Sequence, residues 1–213
     1  MNRTFDFYEY AGFIIPGAIV VMTVVWLFPD TRALFFKEGV TLGELGLFVI
    51  IAYAAGQLVQ AIGNYLEWPW WKPWGGMPSG RVLCGKLLTG EQHQRLLDAL
   101  RPALGGAEPS KIPDAQRRAI VREVYAEVLA AGKAARIDTF SGNYGLMRGL
   151  AAAFLVAFVL AIAAGKGAAI LGTLVVLFLL ALHRMHRYSQ HYATELFVQF
   201  LALRAKKPET STA

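Results

Sequence analysis

The chain has 213 residues, 55% of them hydrophobic and 17% charged, with a formal net charge of +6 at pH 7. Soluble domains carry roughly 45–50% apolar and about 25% charged residues, so the composition argues against an ordinary soluble protein. The basic excess is spread along the chain rather than gathered in one patch; this argues against nucleic acid as a partner and suits a lipid bilayer with anionic head groups.

Four runs almost lack charge: Ala11–Phe28, Leu45–Leu66, Leu150–Gly165 and Ala168–Leu182. Crossing a hydrocarbon core of about 30 Å takes roughly 20 helical residues. The first two runs meet that length. The last two reach it when extended back through Gly145–Gly149 and forward through Met185 and Tyr188. Arg148, Arg184 and Arg187 then snorkel to the interface as a cationic collar. The chain is too small to enclose four such helices as a soluble bundle. The predicted class is all-α, a polytopic membrane protein with four transmembrane helices and a small helical cytoplasmic region. Residues 1–66 form a transmembrane hairpin with helices at about 11–28 and 43–66. A cytoplasmic helical insertion covers 67–144, and a second hairpin with an extended amphipathic C-terminal helix covers 145–207. Residues 208–213 form a disordered tail.

The first span follows MNRTFDFYEY, whose Asp6 and Glu9, with no small-residue cleavage site after Leu27-Phe28, argue against a cleaved signal peptide. Pro16-Gly17 predicts a kink near the cytoplasmic end of this span. In the second span Tyr53, Gln57, Gln60, Asn64 and Glu67 recur at steps of three and four, which puts them on one helix face. Amides in hydrocarbon need partners. The face formed by Tyr53, Gln57, Gln60 and Asn64 is therefore either an interhelical packing seam, within or between subunits, or the lining of a wetted pore. Ala52-x-x-x-Gly56 matches the small-xxx-small pattern of close helix approach.

EWPWWKPW closes this span with Trp68, Trp70, Trp71 and Trp74. Tryptophan favours the membrane interface, where its ring is apolar and its N–H meets a polar partner. Pro69 and Pro73 are expected to stop the helix there. The four rings read either as an interfacial belt or as an aromatic ledge for a lipid, nucleotide or peptide.

The middle segment predicts short helices. Thr89 and Gln92 match a capping box, with the helix running to about Leu100. A second helix starts at Pro113-Asp114 and ends at Gly132, with Ile120, Val121, Val124, Tyr125, Val128 and Leu129 as its apolar stripe. So short a region makes a modest core, expected to lean on the membrane or on neighbouring subunits. Beyond the fourth span, Met185, Tyr188, Tyr192, Leu196, Phe200 and Leu203 form a stripe for a membrane surface or a subunit contact.

Eighteen Lys and Arg lie on the side of the termini and the middle segment, against three on the other. The positive-inside rule places both termini and residues 67–144 in the cytoplasm of a bacterial inner membrane protein.

Catalytic signatures are lacking. His183-x-x-His186 and His191-x-x-x-Glu195 have ligand spacing, but Arg184 and Arg187 among them repel a cation, and no metal or other cofactor is expected. Cys84 and His93 match no nucleophile motif. The layout resembles small four-span bacterial membrane proteins, including membrane components of anti-phage defence systems. The resemblance implies a compact cytoplasmic part that couples a signal to the bilayer. The expected function is a non-enzymatic, homo-oligomeric sensor or channel-like effector with a cytoplasmic signal or protein partner. The alternatives are a membrane-embedded enzyme acting on lipid and a membrane scaffold for a cytoplasmic protein.

Overall fold

The computed structural model describes residues 7–31 and 41–206. Arg3, Arg32, Lys37 and Lys207 of the charge count, and the tail 208–213, lie outside the described residues. All elements among the described residues are helical: α1 (Phe7–Leu27), α2 (Leu42–Trp71), a 3-10 turn (Lys72–Trp74), α3 (Pro78–Leu83), α4 (Gly90–Leu104), α5 (Asp114–Ala130), α6 (Ala135–Ala163) and α7 (Ala168–Lys206). Four helices are long and apolar enough to cross a membrane, over Tyr10–Leu27, Leu42–Leu83, Ala135–Ala163 and Ala168–Ala205. The chain is an all-helical membrane protein.

The described residues fall into two compact units. A spanning unit holds α1, α2 as far as Trp70, and Gly142–His186; a second, polar unit runs from Trp71 to Ser141 and resumes at Arg187.

In the spanning unit, small residues decide which helices touch. A Cβ on Gly17 would collide with the Ala52 carbonyl oxygen, and one on Gly56 with the Phe13 carbonyl oxygen. The α1 and α2 backbones therefore meet directly, using Gly17 together with the Ala52-x-x-x-Gly56 pair. On α6, Gly149, Ala153, Ala157 and Ala161 follow at steps of four and are all buried, a seam of minimal side chains along the middle of the unit. The α6–α7 turn closes at Gly165, φ 64°, with Lys166 N–H donating to the Ala161 carbonyl at 3.0 Å, the Schellman arrangement. Lys166 lies 5.0 Å from the Trp26 ring centre, a cation–π contact at the end of α1.

The second span does not stop where its prolines suggest. Helix α2 runs through Pro69 to Trp71, and Pro73 sits inside the 3-10 turn. Proline's fixed φ is helical, so Pro69 forfeits one backbone hydrogen bond without forcing the chain out of its helix. Reversal waits for Gly75 and Gly76, whose φ values of 80° and 98° need glycine.

The polar unit has its own core. Val82 and Leu83 of α3, Leu96, Leu100 and Leu104 of α4, and Ile120, Val124 and Val128 of α5 pack with Ile137, Leu196, Phe197 and Phe200. The Thr89 capping box forms, with Gln92 N–H donating to Thr89 Oγ1 at 3.3 Å and Thr89 N–H to Gln92 Oε1 at 3.1 Å. Its helix ends at Leu104 rather than about Leu100, because the left-handed turn falls at Gly105, φ 58°. The C-terminal stripe corrects the sequence expectation: Leu196 and Phe200 are buried in this core rather than turned to a membrane surface or another subunit. The middle segment alone is too short to fill a core, and α7 supplies its two phenylalanines. Arg204 pairs with Glu127 at 2.7 Å, and Arg136 with Glu195 at 3.7 Å, which ties α7 to α5 and α6 at the surface.

Within this unit Tyr125 donates to Asp138 Oδ1 at 2.7 Å. Burial, and then the bond to Asp138, push the Tyr125 phenol up to about 12 from its ordinary 10.0. A raised phenol keeps its proton in the folded state, so its stabilising effect is complete below pH 10 and is lost as pH rises toward about 12. In an alkaline absorbance titration, Tyr125→Phe should remove a late-ionising phenol. If that variant leaves the late phase intact, the half-buried Tyr125–Asp138 bond is wrong.

Candidate functional site

The spanning unit contains one strongly polar cluster, built on a backbone defect. Pro16 has no N–H, so the Gly12 carbonyl, four residues earlier on α1, has no helical donor. Gln60 of α2 supplies one: its Nε2 donates to the Gly12 carbonyl at 2.8 Å and to the Gly145 carbonyl of α6 at 3.0 Å. Gln60 Oε1 accepts from Arg148 Nε at 3.3 Å and from Nη2 at 3.2 Å. All four hydrogen-bonding positions of one amide are used, and the residue is 8% exposed. Gln60 therefore fastens α1, α2 and α6 together.

The same guanidinium reaches Glu67. Arg148 Nη1 donates to Glu67 Oε1 at 2.5 Å, and Tyr144 donates its hydroxyl to the same oxygen at 2.7 Å. Gln60 and Glu67 stand two turns apart on α2, facing Tyr144 and Arg148, one turn apart on α6. Arg148 also lies 5.7 Å from the Tyr144 ring centre. The charges cancel, and the Arg148 and Glu67 side chains keep 21% and 24% of their exposure. Gly149 makes room: a Cβ there would strike the Gln60 amide and the Pro16 ring. Gly12 is five residues into α1, about 8 Å from its start, so the cluster lies inside the span.

The sequence-predicted polar face divides. Gln60 turns inward with Glu67, whereas Tyr53, Gln57 and Asn64 are exposed. At 100° per residue these five positions cover an arc of about 80°. Its inner edge meets α1 and α6 and its outer edge does not. Tyr53 touches the Phe13 ring edge-on, with centroids 5.9 Å apart.

The cationic collar also divides. Arg184 and Arg187 are exposed, but Arg148 does not belong with them. It is drawn inward because Glu67 and Gln60 lie within its reach and because Gly63 leaves room for its stem, which a Cβ there would meet at 3.1 Å. The four tryptophans differ in exposure: Trp68 and Trp74 are exposed at 71% and 47%, Trp71 is buried, and Trp70 is half-buried with its ring edge-on to His186 at 6.1 Å. Because α2 continues through Trp71, successive rings are spread around a helix instead of along an extended strand.

The histidines of α7 occupy separate settings. His183 is exposed, His186 meets Trp70, and His191 stacks on Phe140 at 5.5 Å. Among the described residues no group of three or more His, Cys, Asp or Glu side chains is placed to hold a metal ion. Cys84 is exposed, with Arg117 Nη1 at 3.9 Å, while His93 bonds the Leu83 carbonyl at 3.0 Å.

Sequence periodicity pointed to Gln60 and Glu67. It missed Tyr144, Gly145 and Gly149 as their setting, although the Gly-x-x-x-Gly spacing of 145 and 149 was a usable signal. The cluster is chemically a latch. It offers paired charge and saturated hydrogen bonds, and it joins three helices. No protein-family model, curated protein or solved structure matches the chain.

Proposed function

We propose that the chain is a non-enzymatic, oligomeric protein of the bacterial inner membrane that senses a cytoplasmic signal or partner protein and responds through helix packing or membrane permeability. Its termini and polar unit lie in the cytoplasm in this reading, which the distribution of Lys and Arg supports. The observation that carries the proposal is helix continuity. Helices α6 and α7 are unbroken at 141–142 and 186–187, where the chain passes between units. Arg148 follows the first of these crossings by fewer than two turns. A partner that shifts the polar unit's end of α6 would strain the Arg148 contacts to Gln60 and Glu67, and so bias how α1, α2 and α6 pack. The architectural resemblance to membrane components of anti-phage defence systems fits such a device.

Dye leak from liposomes tests this reading. Arg148→Met opens the latch directly, and Phe200→Ala weakens the polar core that α7 completes. Each should raise leak over wild type at matched insertion, while the exposed change Arg122→Gln should not. Wild-type leak from both Arg148→Met and Phe200→Ala would overturn the coupling.

A further inference from the structure

The outer edge of the α2 polar arc lies on a longer pattern. Ile50, Ala54, Gln57, Ala61, Asn64 and Trp68 follow at steps of four, three, four, three and four, and all six are exposed. That is a repeat of 3.5 residues, the period of a left-handed helix pair. The side-chain amides of Gln57 and Asn64 make no hydrogen bond among the described residues, although Gln60, on the inner edge of the arc, saturates its amide. Lipid tails offer no hydrogen bonds, so amides at this level need another source.

We infer that this face is the contact between two copies of the chain, with their α2 helices packed in parallel about a two-fold axis. The inference rests on the oligomeric reading above and names its surface. Three features select a second copy as the occupant. Both copies insert with the same orientation, so each amide meets its own counterpart at the same depth. Every amide carries donors and an acceptor, so the pairs Gln57–Gln57 and Asn64–Asn64 complement themselves. Ala54 and Ala61, alternating with them, let the two backbones approach. Leu58 and Ile62, exposed beside this face, are apolar and suit lipid.

The test maps the face in native membranes. In a Cys84→Ser background, Ala54→Cys and Ala61→Cys should each give a disulfide-linked dimer on oxidation, and Ile62→Cys should not. Native mass of the otherwise unmodified protein should be dimeric, and Gln57→Leu with Asn64→Leu should weaken self-association about tenfold. A dimeric mass with cross-linking through Ile62→Cys would overturn the seam and leave the oligomeric reading standing. A monomeric mass without cross-links would overturn both. Linkage of Ala61→Cys to a different protein would replace the second copy with that partner. Rapid labelling of Ala61→Cys by a water-soluble thiol reagent, without cross-linking, would replace it with a wetted face.

Discussion

Gly56→Leu should abolish the folded spanning unit. Any Cβ at this position strikes the Phe13 backbone carbonyl, and a backbone atom cannot swing aside as a flexible side chain can. Helix α1 would have to separate from α2, taking Pro16 and the Gly12 carbonyl away from Gln60. The cost should exceed about 4 kcal/mol, the range reserved for severe core disruption. Gly17→Leu should behave alike, since its Cβ meets the Ala52 carbonyl. The contrast lies on the same helix. A Cβ on Gly46 meets nothing within 4 Å, and Gly46→Ala should stabilise the helix by up to about 1 kcal/mol. Thermal denaturation in detergent, followed by loss of monodisperse protein, ranks the three variants. If Gly56→Leu melts with the wild type, the helix contact is misplaced.

The second large effect concerns the latch. Arg148→Met should cost about 3 kcal/mol, since removing one partner leaves a half-buried carboxylate and an unfilled amide oxygen. Residual exposure of 21% and 24% on the two side chains keeps the loss at the low end for a buried pair. Glu67→Leu alone should cost a similar amount by stranding the guanidinium. The double variant should cost less than the sum by about 2 kcal/mol, because no charge is left unpaired. Additive losses in that cycle would mean that Arg148 and Glu67 do not interact.

The two halves of the chain were unequally legible. Charge-free runs reveal spans because a bilayer tolerates little else, so the four long helices could be read from the residues alone. Helical spacing likewise put Gln60 and Glu67 on one face. Spacing describes a helix and not its neighbours, so it could not say which edge of the arc is covered. Pro16 signalled a kink, but its consequence depends on Gln60 standing at the depth of the Gly12 carbonyl, a tertiary fact. Arg148 read as a snorkelling residue because a lone arginine at a span end has that default. Its partners lie 81 and 88 residues away in sequence. Leu196 and Phe200 were visible as an apolar stripe, and only the packed structure identifies the core that covers them.

Amide hydrogen exchange in lipid tests the coupling most directly. Wild type and Phe200→Ala would be compared at residues 142–149 of α6, which belong to the spanning unit, while the substitution lies in the polar unit. The account predicts that Phe200→Ala lowers protection at 142–149 as well as around Ile120 and Val124. Loss of protection confined to the polar unit, with 142–149 unchanged, would contradict it.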